Sequence, residues 1–524
     1  MTFLRFYLVI FFLSFFITPC TRIGTDSSAA FRMSLSSEPP TLDWNLATDN
    51  VSFDVITNIM EGLTEFDKDL NPVPALAKRW EFSADGMKIT FHLRDDVYWS
   101  DGKVLSAKDF EYSWKRLLNP KTGAEYAYFL YDILNAYEYN TGRIKDDGKV
   151  GVIALDAHTL EVKLKKPVVY FPSLTTFMVT FPMRQDIVEM YGDRWTEPEH
   201  IVTLGPFLLK DWLHEYKLIL KRNNRFYGNK PSIDRVIMYI VGEGNTALSL
   251  YETGDIDMVE LPSLAIPKYK NSPDYISHPI LRGYYYGFNI KKQPFSDVKI
   301  RKAFAMAIDK NELKKVLMGS GEPATSWIPM GMKGYNPDIG LKFDPEGARR
   351  LIKEAGYTDG KVFPEIKIVF NTDMLNRLVA ENIQSQLAKN LNIKIILDNQ
   401  EWKVYLSMLN TDPPPFYRLG WGADFPDPDN FMNLFTSYSG NNHTHWENHH
   451  YDRFINDASV ERDEKKRILL YDKAQKILVE DDVPIIPLFN ISENLLLKPY
   501  IKGIEFNSME IIYLKKIRIE KDKL

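Results

Sequence analysis

Apolar residues follow three rhythms along this chain. Near the start they form an unbroken run: residues 6–17 read FYLVIFFLSFFI, with Arg5 before them and the polar stretch 21–29 after. That run is shorter than the about 20 residues a membrane-spanning helix needs, and it has the size of the apolar core of a secretory signal. Residues 1–19 are therefore predicted to be a signal peptide. Elsewhere the apolar positions alternate with period two, as in 87–93, where Ile89, Phe91 and Leu93 share a face between the turn dipeptides Asp85-Gly86 and Asp101-Gly102. Further strands are predicted at 33–35, 159–164, 218–220, 236–241, 366–370, 393–397 and 485–488. The helical period marks 53–63, 107–118 with Ser106 as cap, 246–251, 299–318 capped by Asp297, 346–355, 375–391 and 461–479. The strands at 366–370 and 393–397 flank a helix, so that stretch reads as a β-α-β unit. Strands and helices alternate throughout, which is α/β organisation in more than one lobe.

Length and charge narrow the class. The 524 residues suggest about three domains. Basic residues number 65 and acidic residues 70, a net charge of −5, which argues against a nucleic-acid partner. A single cysteine, Cys20, rules out intrachain disulfides, a CxxC redox pair and a cysteine-rich zinc site.

Enzyme signatures are mostly missing. There is no phosphate loop and no nucleophile elbow, and His214-Glu215 fails as a zinc motif because Leu218 stands where the second histidine belongs. His443, His445, His449 and His450 crowd together with Glu447. They are either metal ligands, as in a metal-dependent hydrolase, or a polar loop with Asn441, Asn442 and Asn448. Tyr284, Tyr285, Tyr286, Trp421, Trp402 and Tyr126 either line a pocket or pack in the core. Asp424, Asp427 and Asp429 do not have the spacing of a calcium loop. A carboxylate buried behind Trp421 would need a cationic partner.

Two resemblances then stand out. Residues 17–20, Ile-Thr-Pro-Cys, resemble the lipobox of bacterial lipoproteins, in which the cysteine is lipidated; Pro19 departs from that pattern. Larger in extent is a series of short motifs. It contains Glu38 to Asp43, Glu61-Gly62-Leu63, the run from Ala77 to Gly102, Gly205-Pro206-Phe207, Arg301-Lys302-Ala303, Ala307-Ile308-Asp309 and Gly420-Trp421-Gly422-Ala423-Asp424. In this order and spacing they resemble the family 5 extracytoplasmic solute-binding proteins, the oligopeptide- and dipeptide-binding components of ABC importers. The resemblance covers about residues 31–505.

That resemblance implies a periplasmic-binding-protein-like α/β clamshell of type II with an extra domain. Residues 31–61, 184–285 and 490–524 would form lobe I, 62–183 the extra domain and 286–489 lobe II, with the chain crossing near Tyr286 and Phe489. It implies no catalysis and no cofactor. The partners would be short peptides, an ABC permease and its ATPase subunits, in the periplasm or on the outer face of the cell membrane. Asp424 would receive a peptide's α-ammonium, and Arg418 and Gly420 match ligand-contacting positions. Trp402 and Tyr126 match aromatic pocket positions, and Glu38 lies in the segment that pairs with the peptide backbone. Trp421, Gly422, Tyr286 and Asn289 complete the expected ligand-binding set. Relatives of the same fold bind murein tripeptides, dipeptides, nickel chelates or haem, and these remain alternatives.

Overall fold

The structure is a computed structural model that describes residues 30–357 and 363–520. The proposed signal peptide and Cys20 lie outside the described residues. Among the described residues no helix is long and apolar enough to cross a membrane.

Two long strands, Tyr275–Phe288 and Ile485–Leu497, run antiparallel through the middle of an eleven-stranded sheet. On one side of them come Phe416–Gly422, Ile366–Asn371 and Ile395–Gln400. On the other come Met258–Glu260, Ala30–Leu35, Arg235–Ile240, Lys217–Arg222 and Phe207–Leu213. The ladder between the two long strands breaks between Pro279 and Gly283, opposite Ser492 and Asn490. Proline has no N–H to donate, so the ladder cannot continue through Pro279. Leu281 bonds elsewhere: its N–H donates to Ser508 O at 2.7 Å and its carbonyl accepts the Ala423 N–H at 2.8 Å.

The expected β-α-β unit is present. Ile366–Asn371 and Ile395–Gln400 pair in parallel, joined by the helix Met374–Leu391. Asp373 caps that helix by accepting the Asn376 N–H, and Asn392 ends it in the left-handed region at φ 55°.

A separate four-stranded antiparallel sheet holds Ala77–Phe82, Lys88–Leu93, Thr159–Lys163 and Val152–Asp156. Ile89, Phe91 and Leu93 point inward, as the alternation requires. The helix Ala107–Leu118 packs on this sheet. Its first turn is closed by Asp109, whose carboxylate accepts the Ser106 N–H at 2.9 Å and the Trp99 indole N–H at 3.2 Å.

This smaller sheet is fastened to the N-terminal strand system. One continuous core contains Phe31, Val236 and Met238 together with Phe91, Phe110 and Trp114. At its edge Arg116 grips Asp43 at 2.6 and 3.0 Å, and Trp195 donates to the same carboxylate. Gly205 is needed for close approach: its N–H donates to Ile59 O at 2.8 Å, and a Cβ there would lie 2.3 Å from the Ile59 carbonyl carbon. Two other cores form around Phe288, Phe304 and Phe416, and around Trp327, Tyr417 and Phe431.

Two predicted helices are corrected. The expected helix 299–318 is a helix Val298–Met306, a break, and a second piece from Lys310 to Leu317. The break is stabilised from outside: Gln386 accepts the Asp309 N–H, Asn390 donates to Ala307 O, and Asp309 caps the second piece. The expected helix 461–479 starts only at Glu464, because Asp463 turns its side chain onto the Lys466 N–H as a cap.

Candidate ligand-binding site

The strand Phe416–Gly422 follows the chain into Asp424. Side chains alternate across a strand, so Arg418, Gly420 and Gly422 share one face and Leu419 and Trp421 the other. Leu419 and Trp421 pack against the core around Trp327. The first face carries no side chain at Gly420 and Gly422; the Gly283 carbonyl lies close beside Gly420, and the Arg282 guanidinium, paired with Glu510, lies beside Gly422.

Arg418 is held without a charged partner. Its guanidinium lies over the Tyr284 ring at 4.3 Å and donates to Asn371 Oδ1 at 3.0 Å. Its Nε is buried with no hydrogen bond, and no carboxylate pairs with it among the described residues.

Asp424 is the complement. Its Oδ2 accepts from the Tyr128 hydroxyl at 3.3 Å and from Asn430 Nδ2 at 3.4 Å. Its Oδ1 takes no hydrogen bond and no ion pair among the described residues. Burial pushes this carboxyl above its ordinary value, and the donors from Asn430 and Tyr128 work against that push.

Around Asp424 stand aromatic rings from four parts of the chain. Tyr126 stacks on Tyr128 with centroids 5.5 Å apart, and meets Phe53 and Phe177. Phe425 packs edge-on to Phe129 and stacks on Tyr170 at 5.1 Å. The Tyr170 hydroxyl lies between Asp132 at 3.4 Å and Asp429 at 3.5 Å. Asp427 is neutralised by Arg467 through two bonds of 2.6 and 2.7 Å.

The remaining expected residues divide into two sets. Trp402 is 45 % exposed at the start of the helix Trp402–Thr411, with Tyr405 behind it. Tyr405 in turn donates to the backbone carbonyl of Arg418. Glu38 is committed to the neighbouring hairpin: it accepts from Trp212 Nε1, His214 Nδ1 and the Glu215 N–H. Burial pulls the Glu38 carboxyl up, and the bonds from His214 and Glu215 outweigh it and hold it below the ordinary value.

Tyr286 and Asn289, by contrast, are interior. Tyr286 packs against Phe416 with no exposed surface. Asn289 is spent on the backbone, donating to Pro413 O and accepting the Lys291 N–H. Tyr284 and Tyr285 are likewise buried, so the tyrosine triplet is core, and only Tyr284 touches the site, through Arg418.

The histidine cluster is dispersed. Trp446 and Asn448 turn inward onto Asp482, and His445, His449 and His450 are exposed. Among the described residues no three histidine, cysteine, aspartate or glutamate side chains gather as metal ligands.

Residues 71–443 match the family model described as bacterial extracellular solute-binding proteins, family 5. The chain belongs to that family. The oligopeptide-binding protein OppA of Bacillus subtilis is 33 % identical over 500 residues, covering 92 % of this chain and 91 % of that protein. The unliganded open form of MppA, a periplasmic murein tripeptide-binding protein, aligns with a TM-score of 0.85 at 32 % identity, over 94 % of this chain and 98 % of that one. The Haemophilus influenzae OppA complex with the peptide RPPGFSPFR aligns with a TM-score of 0.75 at 30 % identity, over 95 % and 100 %. Members of this family are binding proteins and not enzymes, and the fold is two lobes plus an extra domain. Tyr128 and Asn430 were not legible in advance: each meets Asp424 only after folding, and neither sits in a motif.

Proposed function

We propose that this chain is the peptide-binding component of an ABC importer. A free peptide is a zwitterion in water. The observation that carries the reading is a pair of opposite charges with no ion-pair partner, Arg418 on the strand and Asp424 just past its end, with Gly420 and Gly422 between them. The six residue steps from Arg418 to Asp424 span at most roughly 20 Å, a fit for a short extended peptide. The carboxylate takes the α-ammonium as a charge-assisted pair, and the guanidinium takes the carboxylate through its forked donors. Backbone pairing along 420–422 is indifferent to the peptide's side chains, while Trp402, Tyr126 and the segment at Glu38 wall the cleft and Trp421 faces the core behind it.

The lobes are assigned as 31–61, 184–285 and 490–524 for the first and 286–489 for the second, with 62–183 as the extra domain. The common core of 31–61 with the four-stranded sheet makes the extra domain move with the first lobe. The proposed bend between lobes lies at the ladder break Pro279–Gly283, a few residues before the crossing near Tyr286 and Phe489 that the resemblance implies. In the cell the mature protein sits in the periplasm or on the outer face of the membrane, after loss of residues 1–19, and Cys20 carries a lipid anchor. The permease and its ATPase subunits receive the loaded protein.

Calorimetric titration with tetraalanine tests the anchor. Asp424→Ala removes an ion pair with the ammonium and weakens binding about 10- to 100-fold (roughly 1.5–3 kcal/mol). Unchanged affinity would sink the assignment. The alignment with MppA favours one second reading, a murein tripeptide in the same cleft; tighter binding of that tripeptide than of tetraalanine decides for it.

A further inference from the structure

The side-chain amide of Asn430 has only one orientation that satisfies its neighbours. One of its atoms faces the Trp421 indole Nε1–H at 2.8 Å and the Asp424 backbone N–H at 3.2 Å. Both of those groups are donors only, so the atom facing them is the oxygen, Oδ1. The amide nitrogen is thereby turned to Asp424 Oδ2, at 3.4 Å.

Asn430 is itself fixed. It is 8 % exposed and lies in the short helix Pro428–Met432, whose cap Asp427 is clamped by Arg467. A chain of contacts therefore runs from Arg467 through Asp427 and the helix to Asn430, and from there to both Trp421 and Asp424. The Tyr128 hydroxyl donates to the same oxygen of Asp424 at 3.3 Å. Two donors on Oδ2 hold the carboxylate plane and leave Oδ1 open.

We propose that Asn430 is a positioning residue that sets the Asp424 carboxylate with Oδ1 toward the ligand and keeps it ionised. This rests on the reading that Asp424 receives the ligand's α-ammonium. A partly buried carboxyl tends to hold its proton, and a protonated carboxyl cannot pair with an ammonium. An N–H aimed at the carboxylate favours the charged form. The titratable groups that face Asp424 are Tyr126 and Tyr128 from the segment 125–130; in its own loop Asp427 is paired with Arg467. None of these supplies a positive charge to Asp424, so the amide of Asn430 and the hydroxyl of Tyr128 carry that task.

The test compares tetraalanine with N-acetyl-tetraalanine by calorimetry between pH 5 and pH 8. In the unaltered protein the free amine binds far better than the acetylated peptide across this range. Asn430→Leu keeps the size and removes both polar atoms. It is expected to cut the free-amine preference at least tenfold and to make tetraalanine affinity fall toward pH 5, with the midpoint raised by at least one pH unit. Trp421→Phe, which frees one hold on the amide oxygen, is expected to shift both readouts the same way by less, and it carries the test if Asn430→Leu does not fold. Acetylated-peptide affinity stays unchanged in both. An unaltered preference and pH profile in the folded variants overturns the proposal. If Asp424→Ala also leaves affinity unchanged, the anchor itself is wrong. If Asp424→Ala weakens binding and these variants do not, only the role of Asn430 falls.

Discussion

The hydroxyl of Tyr128 donates to Oδ2 of Asp424 at 3.3 Å, across 296 positions of sequence. In the proposed assignment one belongs to the extra domain and the other to the second lobe, so the proposed ammonium anchor would be shared between two bodies. Burial, with Asp424 beside it, pushes the Tyr128 phenol far up, so it remains a donor at any working pH. Tyr128→Phe keeps the stacked ring and removes only this donor. Tetraalanine is expected to bind about fivefold more weakly at pH 7, near 1 kcal/mol for one long, part-exposed bond, and the deficit is expected to widen at pH 5. Calorimetry at the two pH values checks this; an equal deficit at both would show that the hydroxyl does not help keep Asp424 charged.

Asp429 gives a pH-dependent stability. Burial raises its carboxyl to about 6, with Asp427 adding to the push. An unfolded aspartate titrates near ~3.9. A raised carboxyl contributes stability that is whole below the unfolded value and is lost as pH climbs through about 6. Asp429→Asn has no proton to lose. Relative to the unaltered protein it should gain stability from pH 4 to pH 7, by roughly 2–3 kcal/mol in all. Urea unfolding at pH 4, 5, 6 and 7.5 reads the trend, and a flat difference would refute it.

Arg116 and Asp43 fasten the extra domain to the N-terminal segment, and both are largely buried. Removing one partner strands the other charge, which costs about 3–5 kcal/mol. Arg116→Ala should therefore lower the urea midpoint sharply. The double variant Arg116→Met with Asp43→Asn should recover a good part of it, because no orphan charge remains. Failure of the double variant to improve on the single one would mean that the loss comes from packing.

Gly205→Ala meets backbone on every near side: Ile59 C and O and Met60 N, at 2.3 to 2.6 Å from the added Cβ. Backbone cannot rotate away as a side chain would. A loss of about 3 kcal/mol is expected, at the upper end for an overpacked site. Unfolding measurements that place the variant within 1 kcal/mol of the parent would contradict this close approach.

Local chemistry carried the sequence reading furthest where it acts alone. Ser106 starts the helix 107–118 where it was expected to, and the alternation from Ile89 to Leu93 gave the right inward face. It failed where a distant residue decides. Gln386 and Asn390 arrive from another helix to break 299–318, a contact with no local trace. The site repeats the pattern. Arg418 and the two glycines lie on one short strand that runs into Asp424, and the stretch carried a motif, whereas Tyr128 and Asn430 are brought in by the fold. Tyr286 and Asn289 were drawn toward the site by their place in the chain, yet their side chains serve the interior.

The bulge at Leu281 places the proposed anchor and the proposed bend one hydrogen bond apart. Its carbonyl holds the amide of Ala423, the residue just before Asp424. Under the proposed reading, a ligand held by Asp424 acts one hydrogen bond away from the bend, so capture and closure would be coupled through a single contact, and a peptide that fails to engage Asp424 would leave the two lobes uncoupled.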